Sequence, residues 1–206
     1  STAASSTPTA ASPPPERLPA VDHLFVLGVD LDGVCARLDP CEDPLEVPIR
    51  DDGFAEADVV DGAADTLWRL SDAGVWIRIL AHRLHVKGAH VSAVADTVVW
   101  LDDAHIPYRD LCFLGAKPDV EADLYVDDTP ANVIALRQSG NEVIVFDQPY
   151  NRDLRDPRAA DWGEVEEIVM ERFTERSGVY GVQPQLPGVD GALGRRLGHD
   201  RPASDA

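Results

Sequence analysis

The sequence predicts an α/β fold built on a doubly wound parallel sheet, and three observations carry that expectation. Short, near-continuous apolar runs recur along the chain, the pattern of strands covered on both faces. Stretches of helical periodicity separate them, so strand and helix alternate. Acidic residues follow two of the runs, at the carboxyl ends where sheets of this kind bind ligands.

In chain order, the first strand is read at 24–30 (LFVLGVD). A helix follows over 62–73, where Ala63, Leu67 and Leu70 share a face and Gly74 supplies the stop. The second strand is 75–80 (VWIRIL), and the next helix covers 88–104 with Val91, Val94, Val98 and Leu101 as its apolar stripe. Strands are read at 111–114 (LCFL) and 124–127 (LYVD). Thr129 and Pro130 then give an N-cap and a first-turn proline, and a fifth strand lies at 142–146 (EVIVF). Asp161 and Glu164 have capping-box spacing ahead of Val165, Ile168, Val169 and Phe173. These elements place the folded unit at 21–176. Residues 1–20, made largely of Ser, Thr, Ala and Pro, are expected to form a disordered tail, and the Gly- and Pro-containing 177–206 a flexible one.

The chain has 206 residues, with 18 Lys and Arg against 37 Asp and Glu, a formal charge of −19. That charge argues against a nucleic-acid polymer or an anionic membrane as partner. It leaves room for a small anionic ligand, because a bound cation reverses the local field. Three cysteines, Cys35, Cys41 and Cys112, without a C-x-x-C pair argue against a disulfide framework and for a reducing, cytoplasmic setting. No apolar run approaches the roughly 20 residues that span a bilayer. The N-terminal residues lack the apolar core of a signal peptide.

The chemistry gathers at the strand ends. The first strand runs into Gly28-Val29-Asp30-Leu31-Asp32-Gly33. Two carboxylates at i and i+2 face the same way if the strand geometry persists, and Gly33 permits a sharp turn. Like charges this close call for a shared proton or cation, although an Asp/Gly turn alone also accounts for the residues. The fourth strand runs into Asp127-Asp128-Thr129-Pro130. If the first and fourth strands are neighbours, their carboxylates converge, and an all-oxygen set suits Mg²⁺ better than zinc or copper. Lys117, one of only two lysines, follows the third strand, within reach of the same crevice. After the second strand come Ala81, His82 and Arg83. This stretch reads either as a polar loop or as a helix start that receives a phosphate. His82, His85 and His90, spaced H-x2-H-x4-H without a cysteine pair, do not match a zinc site.

This ordered set, VDLDGV, RILAHR, LGAKPDV and LYVDDTPANV, resembles the haloacid dehalogenase (HAD)-like superfamily of phosphotransferases. Its lay-out looks closest to the 5′(3′)-deoxyribonucleotidase (cytosolic type C) group, over about residues 24–150. The resemblance implies a Rossmannoid three-layer fold with a small cap insertion after the first strand, here at 36–60. It implies an Mg²⁺-dependent phosphomonoesterase, a 5′-nucleotidase acting on (deoxy)nucleoside monophosphates. Asp30 is then the nucleophile that forms an aspartyl phosphate, and Asp32 the acid and base. Lys117 bridges nucleophile and phosphate, and Ala81, His82 and Arg83 line the phosphate subsite. The metal is held by Asp30, the Asp32 carbonyl and one of Asp127 and Asp128. The partner implied is a small phosphorylated substrate, with a homodimer left open.

One position departs from the family pattern. Members carry Thr or Ser at the end of the second strand, where this chain has Ala81. A lost hydrogen bond there costs roughly 0.5–1.5 kcal/mol. It keeps two alternatives open, a phosphatase for another small phosphorylated metabolite and a low-activity domain that binds Mg²⁺ and phosphate. Phe54, the cap's aromatic residue, either stacks on a base or packs on the domain. Cys35 and Cys41 read as small buried or loop thiols, and Trp68, Trp76, Trp100 and Trp162 as core or helix-face residues.

Overall fold

A computed structural model describes residues 24–37, 57–82, 90–114 and 117–180. The strands are β1 (Val26–Asp30), β2 (Trp76–Ala81), β3 (Asp110–Phe113), β4 (Leu124–Asp127), β5 (Val143–Phe146) and β6 (Arg158–Ala159). The helices are α1 (Ala63–Ala73), α2 (His90–Asp103), α3 (Pro130–Gln138) and α4 (Trp162–Tyr180), with a 3-10 turn at Lys117–Asp119. The strands form one sheet in the order β3-β2-β1-β4-β5-β6, with every pairing parallel. The chain winds outward from β1 to β3, then returns to β4 on the other side of β1. The crevice between β1 and β4 is therefore the topological switch point.

Both faces of the sheet are covered. One apolar cluster joins Leu27, Val29, Ile77 and Ile79 to Leu67 and Leu70 of α1, Trp100 and Leu101 of α2, and Val165 and Val169 of α4. The other joins Leu80, Tyr125, Val143 and Val145 to Val133 and Leu136 of α3. These are the three layers the sequence predicts, and they explain why the strands read as continuous apolar runs.

The helix ends follow their local chemistry. Gly74 caps α1 at φ 107°, a conformation that costs glycine little. At α4, Asp161 Oδ1 accepts the Glu164 N–H at 3.0 Å, and Glu164 returns a carboxylate oxygen to the Ala160 N–H at 2.7 Å. That helix runs to Tyr180, past the boundary drawn at residue 176. Thr129 stands at the N-cap of α3 with Pro130 behind it, but its hydroxyl does not cap the helix.

Two expectations need correcting. The buried face of α2 is Ala93, Thr97, Trp100 and Leu101, while Val91 is 85% exposed and Val94 37% exposed. The buried face lets the Trp100 indole reach a partner outside the helix, while Thr97 satisfies its hydroxyl within it. The Thr97 hydroxyl donates to the Ala93 carbonyl at 2.6 Å, and the Trp100 indole donates to the Ala57 carbonyl at 2.7 Å. The sheet also has a sixth strand, β6, whose two residues Arg158 and Ala159 carry no apolar run.

Much of the cap region (38–56) with Cys41 and Phe54, the stretch 83–89 with Arg83, His85 and Lys87, and residues 1–23 and 181–206 lie outside the described residues. Among the described residues, no helix is long and apolar enough to cross a membrane.

Candidate active site

The pairing of β1 with β4 sets Val29 opposite Val126. The next residues, Asp30 and Asp127, end their strands side by side with their carboxylates on one face. Lys117 reaches between them from the 3-10 turn. Its Nζ lies 2.5 Å from Asp30 Oδ2 and 2.6 Å from Asp127 Oδ2, and all three side chains are buried. The lysine's position is prepared by Tyr125. The Tyr125 hydroxyl donates to the Val120 carbonyl and accepts the Ala122 N–H at 3.0 Å, fixing the residues just after the turn. The Tyr125 ring lies over Gly28, where a Cβ would come within 2.9 Å of it.

Asp128 completes the group. One oxygen of Asp30, Asp127 and Asp128 can be chosen so that all three lie within 4.8 Å of one another. Gly33, at φ +82°, passes directly over Asp128, and a Cβ on it would stand 1.9 Å from Asp128 Oδ2. The two acidic loops therefore meet through a glycine that only a missing side chain allows.

The remaining partners distinguish the two neighbouring aspartates. Asp127 uses both oxygens within the protein. Oδ2 accepts from Lys117, and Oδ1 accepts the Thr129 N–H at 2.9 Å and the Asn132 amide at 3.4 Å. Asp128 Oδ2 accepts from the Tyr150 hydroxyl, and its Oδ1 accepts from the Thr129 hydroxyl at 3.3 Å. Asp30 Oδ1 accepts the Leu31 N–H at 2.8 Å.

Three buried carboxylates around one ammonium leave a formal surplus of two negative charges. Burial pushes the Asp30 carboxyl well above its usual range, Lys117 pulls it back, and Asp127 and Asp128 push it up again. Burial and then Asp127 push Asp128 up to about 7, against the Tyr150 hydrogen bond. Burial alone would lower Lys117, but the facing carboxylates outweigh it and raise the ammonium further, so it stays charged. Tyr150 is raised by burial and by Asp128, so its phenol keeps its proton and donates it. A hard divalent cation fits this donor set, since it meets only oxygens and cancels the surplus.

Of the residues singled out in the sequence, Asp30, Lys117, Asp127 and Asp128 are brought together. Asp32 is half-buried beyond the strand end, in a bridge with Ala36, so strand geometry does not continue from Asp30 through it. Ala81 is buried at the end of β2 and packs with the α1/α2/α4 cluster. In register, Leu80 is the partner of Asp30, so Ala81 lies one residue further on and faces the opposite layer. His82 is half-buried and adjacent, and Arg83 is outside the described residues. Cys35 is a buried thiol whose pKa is pushed up by burial and then by Asp30 and Asp32. Tyr150, Asn132, Gln148 and Asn151 touch the site or its loops without having been singled out. The signal for the last three of the chain, at 148–151, was position alone, because they follow the carboxyl end of β5 on the same rim.

Comparison with known proteins gives the same direction. The family model described as 5′ nucleotidase, deoxy (Pyrimidine), cytosolic type C protein matches residues 48–174. The match takes in Lys117, Asp127, Asp128 and Tyr150 and begins after β1, so Asp30 enters the site on geometry. A Chlorobaculum tepidum protein named "Putative 5′(3′)-deoxyribonucleotidase" is 37% identical over 181 residues, covering 70% of this chain and 90% of that protein. A "Putative nucleotidase" of Oceanobacillus iheyensis is 26% identical over 119 residues, 53% of this chain and 60% of that protein. In fold alone, the chain is similar to the D,D-heptose 1,7-bisphosphate phosphatase of Burkholderia thailandensis. The TM-score is 0.51 at 14% identity, over 71% of this chain and 98% of the other.

Proposed function

Given that the chain belongs to the cytosolic type C 5′-nucleotidase family, phosphomonoesterases on the HAD fold, we propose that it hydrolyses (deoxy)nucleoside monophosphates with Mg²⁺ at the β1/β4 crevice. The observation that carries this reading is the buried meeting of Asp30, Asp127 and Asp128 around Lys117. A reducing, cytoplasmic setting belongs to the same reading.

In this mechanism an Asp30 carboxylate oxygen attacks phosphorus. The P–O bond to the nucleoside breaks, and Asp32 gives its proton to the departing oxygen. Water then attacks the aspartyl phosphate while Asp32 takes its proton, and inorganic phosphate leaves. Lys117 holds Asp30 in line and places its charge beside the incoming phosphoryl group. Asp127 orients Lys117 through Oδ2 while its Oδ1 is held by the Thr129 N–H. Asp128, with the less engaged oxygen, would hold the metal together with Asp30 and the Asp32 carbonyl. When bound, Mg²⁺ neutralises the surplus carboxylate charge and the phosphate. Backbone groups at Ala81 and His82, with Arg83, form the phosphate subsite.

Phosphate release from ribo- and deoxyribonucleoside monophosphates and from sugar phosphates, with and without Mg²⁺, tests this reading. Asp30→Asn should reduce turnover by about 10⁴-fold or more, because an amide cannot form the intermediate. Nucleotides should rank first. Sugar phosphates ranking first would replace the substrate class, and release that survives Asp30→Asn would remove the mechanism. Ala81 in place of a hydroxyl favours a second reading, a slow phosphatase or a binding domain. Release absent across the panel, with Mg²⁺ and nucleotide still binding in calorimetry, would select it.

A further inference from the structure

The loop after β5 crosses the rim of the crevice and ties together the two acidic loops that form it. The Gln148 amide donates to the Gly33 carbonyl at 2.8 Å, beside Asp32. The buried Asn151 amide donates to the Asp128 carbonyl at 2.7 Å and to the Phe146 carbonyl at 2.8 Å. Asn151 is itself held, since its Oδ1 accepts the Gln148 N–H and an Arg158 N–H, both at 3.1 Å. A second Arg158 nitrogen donates to the Asn151 carbonyl at 2.7 Å. Tyr150 sits between these anchors. The residue is 41% exposed on the rim, while its hydroxyl reaches inward to Asp128 Oδ2.

We propose that Tyr150 is a positioning residue for the metal site: its hydroxyl holds one oxygen of Asp128 so that the other is presented to the cation, and residues 148–151 form the strap that sets it there. The proposal rests on the reading of Asp128 as a direct ligand. The physical case is one of side-chain freedom. A buried carboxylate on a single Cβ can rotate, and among the described residues the other side-chain donor on Asp128, the Thr129 hydroxyl, stands at 3.3 Å. The phenol supplies the hydrogen bond that holds the other oxygen, so the carboxylate is kept in place before a cation arrives. Hydrogen bonds from outside a metal's own ligands commonly govern affinity by about 10- to 100-fold. The strap also links this contact to the Asp32–Gly33 loop, so both sides of the cation site share one support.

The test is calorimetric titration of the full chain with Mg²⁺ alone, comparing wild type, Tyr150→Phe, Gln148→Ala and Asp128→Asn. Tyr150→Phe removes one oxygen from a half-exposed residue and should weaken Mg²⁺ binding by about tenfold. In phosphate-release assays the Mg²⁺ concentration for half-maximal rate should rise by the same factor, while kcat at saturating Mg²⁺ stays within about twofold. Gln148→Ala keeps the phenol and loosens the strap, so it should weaken binding by a smaller factor. Should Tyr150→Phe melt early without Mg²⁺, Gln148→Ala carries the test. Asp128→Asn should lose binding. Wild-type affinity in Tyr150→Phe, with binding lost in Asp128→Asn, overturns the role of Tyr150 and leaves the ligand assignment standing. Wild-type affinity in Asp128→Asn overturns the ligand assignment and the proposal together.

Discussion

The two ends of the sheet carry the same kinds of charged residue and use them differently. At the amino ends of the strands, Asp110, Asp123 and Glu142 each meet an arginine: Arg78, Arg176 and Arg172. These carboxylates are 30%, 13% and 35% exposed, and each lies against an arginine, Arg172 meeting Glu171 and Glu175 as well. At the carboxyl ends, Asp30 and Asp127 share the single ammonium of Lys117, Asp128 beside them is held by the Tyr150 and Thr129 hydroxyls, and all four charged groups are buried. Partly exposed acids, each against an arginine, form a surface that holds the fold's edges. Three acids on one base, out of water, form a site that is incomplete without another positive charge. Burial of unbalanced charge, more than the presence of acidic residues, separates the working end of this sheet from the supporting one.

The sharpest way to break that contrast is to remove a cation from each end. Lys117→Met should cost about 3–5 kcal/mol at neutral pH, since it leaves buried carboxylates unpaired, and should abolish measurable turnover. Denaturant unfolding and phosphate release check both. Arg176→Met should cost only about 0.2–1 kcal/mol, because its pair with Asp123 is half-exposed, even though its guanidinium also lies 5.7 Å from the Phe25 ring centroid. Equal costs at the two ends would erase the distinction.

A second, intermediate effect follows from pH. In the metal-free chain burial and Asp127 push the Asp128 carboxyl up to about 7, from an ordinary value of 3.8. Between those values the folded state binds a proton that the unfolded state has released. This carboxyl's contribution to stability is therefore present at low pH and is lost as pH rises through about 7. With EDTA present, Tm should fall from pH 5 to pH 8 more steeply in wild type than in Asp128→Asn, and Mg²⁺ at pH 8 should restore it in wild type alone. Identical slopes for the two proteins would remove Asp128 from the account. The smallest effect belongs to Arg69, whose surface contact with Glu166 joins α1 to α4. Arg69→Ala should change stability by less than about 1 kcal/mol in urea unfolding.

What the sequence makes legible divides along the same line. The five apolar strands, the Asp161/Glu164 cap and the Gly74 stop are local events, and local residue types announce them. Asp30, Lys117, Asp127 and Asp128 are legible because each sits just past a strand or its following turn, and adjacency of β1 and β4 does the rest. Non-local compensation is not legible. The valines of α2 suggest one buried face, while the buried face is the one from which Trp100 reaches the Ala57 carbonyl. β6 exists because Val145 and Phe146 offer it an edge, with only Arg158 and Ala159 of its own. Tyr150 acquires its meaning from a carboxylate 22 positions earlier in the chain. Gly33 shows the limit of local reading most clearly, since a turn explains its φ while Asp128 explains why no side chain fits.

That last contact has a consequence for how this chain can diverge. Gly33 and Asp128 lie far apart in the sequence, yet the space for one is the absence of the other's side chain. Neither position is free to drift alone: a methyl group at 33 must displace the carboxylate at 128, and a bulkier residue at 128 must push the first loop off the second. Gly140 has a similar φ of +85° but nothing within 4 Å of where its Cβ would stand, so its constraint is conformational and local. Two glycines with nearly the same backbone angle thus carry different inheritances, one a preference of the chain and the other a lock between distant motifs.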